Sequence, residues 1–180
     1  MNLPNLLTIL RIALLPFFLF FLVDGRYGAA LTVFFVGSIS DALDGFVARK
    51  FHQVTELGKM LDPAADKLFL LSSFITFYLL DLIPLWFFII GIAKDLVILS
   101  GSAFIYLKHV KFEIEPTFAG KASTALQMAT VLLILFHGMG HVREEILLAA
   151  MIAAAILLFY SMLSYVIIGI RIYRGGQRIE

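Results

Sequence analysis

Residues 41–66 read Asp41-Ala-Leu-Asp44-Gly45-Phe-Val-Ala48-Arg49, then eight residues, then Gly58-Lys-Met-Leu-Asp62-Pro-Ala-Ala-Asp66. Four aspartates fall within 26 residues, and long apolar stretches flank them on both sides. On a helix, Asp41 and Asp44 at i, i+3 share one face, and Asp62 and Asp66 at i, i+4 share another. Gly45 and Ala48 continue the first face and Gly58 the second. Two adjacent antiparallel helices joined by the short link 49–56 would bring all four carboxylates to one cavity near one membrane face.

The rest of the chain fixes the solvent. Of its 180 residues 61% are hydrophobic and 15% charged, with a mean hydropathy of +0.97, which is too apolar for a soluble domain of this size. A span needs roughly 20 residues, so the length holds about six with short links and no soluble domain. The apolar stretches predict spans over 4–23, 28–48, 57–80, 84–107, 118–137 and 145–170, a single all-α integral membrane domain over 1–180. The links at Asp24-Gly25-Arg26, 49–56, 81–84, 108–116 and 137–145 are rich in turn-forming or charged residues. Arg11 inside the first stretch, and the lack of a basic start and a small-residue cleavage site, argue against a cleaved signal.

With a cytoplasmic amino terminus, Arg49, Lys50, Lys108, Lys111, Arg171, Arg174 and Arg178 lie inside, and Arg26 and Arg143 outside. That asymmetry predicts both termini and the aspartates on the cytoplasmic side of the inner membrane. The basic tail would also attract anionic lipid headgroups. A net charge of +1 gives no basic face for nucleic acid, and the absence of cysteine excludes thiolate chemistry. Gly37, Ser38 and Ser40, and the run 149–155, are small residues that allow close helix packing. Trp86, Tyr27 and Tyr106 fall near expected interfaces, and the 18 Phe read as lipid-facing bulk and helix packing.

Four carboxylates crowded in a low-dielectric site repel one another and would be driven to protonate unless cations were present. The all-oxygen donor set suits Mg²⁺ or Mn²⁺, and two such ions can bridge a diphosphate. Gly45 and Gly58 would let a nucleotide approach the helix backbones, and Arg49 could clamp a phosphate. One competing reading is structural pairing of the aspartates with Arg49, Lys59 and Lys67. Another is the ion path of a cation transporter or channel. Burying that many charges for structure alone is costly, and an ion path does not account for the spacing of Gly45, Ala48, Arg49 and Gly58.

The pattern D-x2-D-G-x2-A-R-x8-G-x3-D-x3-D resembles the signature of the CDP-alcohol phosphotransferases, with every fixed position and gap met. The resemblance implies transfer of a phosphatidyl group from CDP-diacylglycerol to an alcohol, with release of CMP, by a homodimeric membrane enzyme of phospholipid biosynthesis. It implies that Asp41, Asp44 and Asp62 are metal ligands and that Asp66 is both a ligand and the base for the acceptor hydroxyl. Gly45, Arg49 and Thr55 would line the CDP-lipid site, with Gly58 at the close approach, and Asn5 and Thr8 would contact the nucleotide from the first helix.

The acceptor is read from other residues. Asn2-Leu-Pro-Asn5-Leu-Leu-Thr8-Ile-Leu-Arg11 and Gly120-Lys121-Ala-Ser-Thr124-Ala-Leu-Gln127 are similar to segments of both phosphatidylglycerophosphate synthases and cardiolipin synthases of this fold. Lys121, in the first turn of the fifth span, could meet an anionic acceptor or simply snorkel to the interface. Lys94 and Asp95 stand mid-span, where both relatives carry Arg before an acidic residue, and they could bind the acceptor or form an internal ion pair. Lys keeps the charge but lacks the planar fork that grips phosphate. Ser100, Gly101 and Ser102 replace a further arginine typical of the glycerophosphate enzymes, while the segments 82–84 and 115–118 look more like the cardiolipin type. Glycerol 3-phosphate ranks first as acceptor, with phosphatidylglycerol as the alternative. His137 and His141 have i, i+4 spacing, but Gly138 and Gly140 are expected to break the helix between them and leave them in an outer loop. His52 and His109 fall in cytoplasmic links.

Overall fold

The computed structural model describes residues 3–51, 56–107 and 118–175, with side chains for 9–40, 65, 67–101 and 118–172. The described residues form six helices: α1 Leu3–Val23, α2 Tyr27–Phe51, α3 Glu56–Leu79, α4 Leu85–Leu107, α5 Phe118–Gly138 and α6 Glu144–Gly175. Each coincides with an apolar stretch of the sequence. Two of them, Phe118–Gly138 and Glu144–Ile172, are by length and composition able to cross a bilayer. Shorter apolar lengths, Ile9–Val23, Tyr27–Ser40 and Lys67–Leu79, occupy α1, α2 and α3. Exposed Phe17, Phe20, Val23, Leu79 and Ile156 present the kind of outward apolar surface that lipid, rather than water, covers.

Three helix ends are closed in the same way. At the end of α1, Gly25 N–H donates to Leu22 O and Arg26 N–H to Phe21 O, with Gly25 at φ 71°. At the end of α5, Gly140 N–H donates to His137 O and His141 N–H to Phe136 O, with Gly140 at φ 78°. These paired bonds satisfy carbonyls that the helix leaves open, and the left-handed residue they need costs glycine nothing. After α3 the same pair runs from Asp81 to Tyr78 O and from Leu82 to Phe77 O, but the left-handed residue is Asp81, at φ 56°. Arg26 lies 5.1 Å from the centre of the Phe21 ring, a cation–π contact that holds the α1–α2 turn.

The chain divides into two compact units. The first holds Met1–Leu82 and Leu132–Arg143, the second Ile83–Val131 and Glu144–Glu180. In the first, α1 packs on both α2 and α3. Its core is aromatic: the Phe18 ring sits 5.0 Å from Phe69, 6.2 Å from Phe34 and 6.5 Å from Phe77, all four buried. These four are the helix-packing part of the phenylalanine content. As expected from the His137–His141 segment, the helix ends between the two histidines: His137 is in the last turn of α5, His141 and left-handed Gly140 lie beyond it, and the final helical residue is Gly138. Its missing side chain is what lets the Tyr27 ring close over the helix backbone.

In the second unit α4 packs on α6. The inward stripe of α6, Leu147, Met151, Ala154, Ala155, Leu158 and Ser161, follows helical periodicity and is buried. The two alanines are the small residues that permit this approach.

Candidate functional site

The aspartates lie on helical backbone, as their spacing requires. Asp41 and Asp44 stand in the last three turns of α2, together with Gly45 and Arg49, and Gly58, Asp62 and Asp66 in the first three turns of α3. Asn5 and Thr8 stand in the opening turns of α1. The side chains of these residues lie outside the described ones, and Thr55 lies outside the described residues altogether.

Topology brings these segments to one end of the first unit. The tight turn after Val23 sends α2 back along α1, so the start of α1 lies at the end of α2, and α3 begins where α2 finishes. The aromatic cluster around Phe18 fills the other half. Between the two, the stem of Arg11 passes Gly37, where an added Cβ would make an ordinary contact with Arg11 Cγ at 3.9 Å. Arg11 is a charge in the body of α1, 4% exposed, one turn of α2 away from the first motif aspartate. Ala65, between Asp62 and Asp66, is also buried.

Among the described side chains no group of three or more His, Cys, Asp or Glu is placed to hold a metal. The motif carboxylates are not among those side chains, so the fit rests on donor chemistry. Two pairs of aspartates on helices, at i, i+3 and i, i+4, are hard oxygen donors by residue type, which fits Mg²⁺ or Mn²⁺ and not a soft-ligand metal.

The residues expected to meet the acceptor lie in the second unit. Lys94 is 4% exposed, and its Nζ donates to Gln127 Oε1 at 3.1 Å and to Ser123 Oγ at 3.4 Å, both on α5. Ser123 Oγ in turn donates to Gly120 O at 2.8 Å. Lys94 is therefore a link between two helices. Asp95 is half-buried, and Lys121, in the first turn of α5, is exposed. Sequence reasoning missed Ser123 and Gln127. Their signal was present: a lysine in mid-span needs acceptors, and two buried polar residues at i, i+4 of a neighbouring apolar helix supply them.

His137 has a local role, while His52 and His109 lie outside the described residues. A ring nitrogen of His137, Nδ1, lies 2.8 Å from Val142 O and so ties down the loop after α5. His141 is exposed.

Residues 1–168 match the CDP-alcohol phosphatidyltransferase family, and the chain belongs to it. It is 38% identical over 127 residues to CDP-diacylglycerol--glycerol-3-phosphate 3-phosphatidyltransferase of Aquifex aeolicus, covering 69% of this chain and 70% of that one. A Bacillus subtilis protein of the same name is 32% identical over 153 residues, 77% of this chain and 78% of that one. Cardiolipin synthase (CMP-forming) of Streptomyces coelicolor is 34% identical over 147 residues, 78% of this chain and 68% of that one. The chain is thus a helical member of an enzyme family, related to relatives of both names.

Proposed function

We propose that this protein is an inner-membrane phosphatidylglycerophosphate synthase, transferring the phosphatidyl group of CDP-diacylglycerol to glycerol 3-phosphate with release of CMP. The observation that carries the reaction class is the complete aspartate motif on two consecutive helices, within a family match over residues 1–168. The choice of acceptor is supported by the identity to the Aquifex and Bacillus proteins of that name.

Six spans with both termini in the cytoplasm complete the proposal, supported by six helices on apolar stretches and by the distribution of Lys and Arg. Asp41, Asp44, Asp62 and Asp66 hold two Mg²⁺ or Mn²⁺ ions, which when bound neutralise the diphosphate and stabilise the leaving oxygen. Asn5 and Thr8 contact the nucleotide, Gly45 and Gly58 let it lie close to α2 and α3, and Thr55 and Arg49 hold the phosphates. Asp66 accepts the proton of the acceptor hydroxyl. The acceptor oxygen forms its bond to the lipid-side phosphorus as the bond from that phosphorus to the CMP oxygen breaks. Lys121 offers a cation to the phosphate of the acceptor, and Lys94 and Asp95 support that end of the reaction. The working unit is a homodimer.

A second acceptor, phosphatidylglycerol, is favoured by the 34% identity to the Streptomyces cardiolipin synthase. CMP release from CDP-diacylglycerol, measured with each acceptor in turn and with metal removed by chelator, tests both readings. Metal transport into liposomes without CMP chemistry would instead support an ion path through the aspartates.

A further inference from the structure

Gln127 and Ser123 have no place in the proposed chemistry, yet they are among the most deeply buried polar side chains described, at 3% and 0% exposure. Both accept hydrogen bonds from the Lys94 ammonium, which crosses from α4 to reach them. Neither partner carries charge, so both bonds are charge-assisted bonds to neutral oxygens, made in a setting where losing one is costly.

Their positions decide what the tie does. Gly120, Ser123, Gln127, Thr130, Val131 and Ile134 make one buried face of α5, and Lys121, Ala125 and Ala129 make an exposed stripe. Lys121 is two residues from Ser123, roughly 200° around the helix at 100° per residue. A tie on the buried face therefore fixes the rotation at which Lys121 is turned outward. At the same end of the helix, Gly120 lies against Tyr165 of α6, where a Cβ would come within 3.0 Å of Cε2. That contact with the hydroxyl end of Tyr165 limits how close α5 comes to α6, and the two bonds from Lys94 constrain the rotation of α5.

We infer that Gln127 and Ser123 are positioning residues: by seating Lys94 they fix the rotation of α5, and with it the presentation of Lys121. The link to catalysis rests on the reading of Lys121 as an acceptor residue, whereas the rotation itself does not. Lys94 then serves the reaction through α5 and does not touch the acceptor.

The chain contains no cysteine, so single cysteines report α5 directly. In the full-length protein in detergent, a maleimide should label Lys121→Cys about tenfold or more faster than Thr130→Cys, because thiol reaction follows exposure. Adding Gln127→Leu or Lys94→Met should reduce that ratio to about threefold or less, while Gln127→Glu, which keeps an acceptor oxygen, should preserve it. Ser123→Ala, losing only the longer bond, should lower the ratio less, and it serves where Gln127→Leu does not fold. With Lys121 in place, Gln127→Leu should raise KM for whichever acceptor is turned over by about fivefold, with kcat and the KM for CDP-diacylglycerol within about twofold. An unchanged labelling ratio in both Gln127→Leu and Lys94→Met overturns the inference. So does a KM effect of Lys94→Met that Gln127→Leu does not share. A shifted ratio with an unmoved acceptor KM upholds the tie and contradicts the acceptor role of Lys121.

Discussion

The ring of Tyr27, in the first turn of α2, closes over the backbone of Gly138, in the last turn of α5, so that a Cβ on Gly138 would lie 2.7 Å from Tyr27 Cγ. Both residues belong to the first unit, and the contact joins the chain near its first turn to a segment more than a hundred residues later. Backbone and ring cannot both stay in place once a methyl group is added. Gly138→Ala should therefore destabilise the protein by about 1–3 kcal/mol. Combining it with Tyr27→Ala, which removes the ring, should cost less than the sum of the two single changes. Thermal unfolding of the four proteins in one detergent checks this coupling, and strict additivity would contradict the contact.

Asp81 is the one non-glycine residue described with a positive φ, at 56°, and it does the work that Gly25 and Gly140 do at the other two closures. A side chain in that region carries a conformational cost that glycine avoids. Asp81→Gly should raise stability by about 0.5–1 kcal/mol, and Asp81→Val should lower it, in a paired melting experiment.

The aromatic core gives a contrast within one helix. Phe18 is fully buried, while Phe20, two residues on, is 60% exposed on the outer face of α1. Phe18→Ala should cost about 3–5 kcal/mol, whereas Phe20→Ala should stay within about 1 kcal/mol. Unfolding midpoints in a common detergent separate the two.

How much of this was legible in the sequence follows from what each residue depends on. Helix boundaries were legible because apolar runs end at Asp24-Gly25-Arg26 and at Asp81, where local backbone chemistry decides the stop. The stop after Gly138 was legible in Gly138 and Gly140 for the same reason, but Tyr27, whose ring takes up the space that the Gly138 side chain leaves, is distant in the chain and was not. The aspartates were legible as a site because residue type and spacing carry the chemistry. Lys94 was visible as an anomaly, but its partners are on another helix, 29 and 33 residues later, so spacing alone could not name them.

If Asp66 is the base, Asp66→Asn should lower kcat by about 10²–10⁴-fold, and metal should still protect the variant from thermal unfolding in part. Asp41→Asn should reduce both turnover and that protection. Equal loss of protection in the two variants would make Asp66 a ligand and nothing more.

Metal-dependent transfer from CDP-diacylglycerol to glycerol 3-phosphate is tested most directly by resolving the products. Purified protein with Mg²⁺ or Mn²⁺ is given CDP-diacylglycerol together with glycerol 3-phosphate and phosphatidylglycerol, and CMP and both lipid products are quantified. Phosphatidylglycerophosphate should form in step with CMP and vanish with chelator. Cardiolipin as the sole lipid product would contradict the acceptor, and no metal-dependent CMP with any alcohol would contradict the reaction itself.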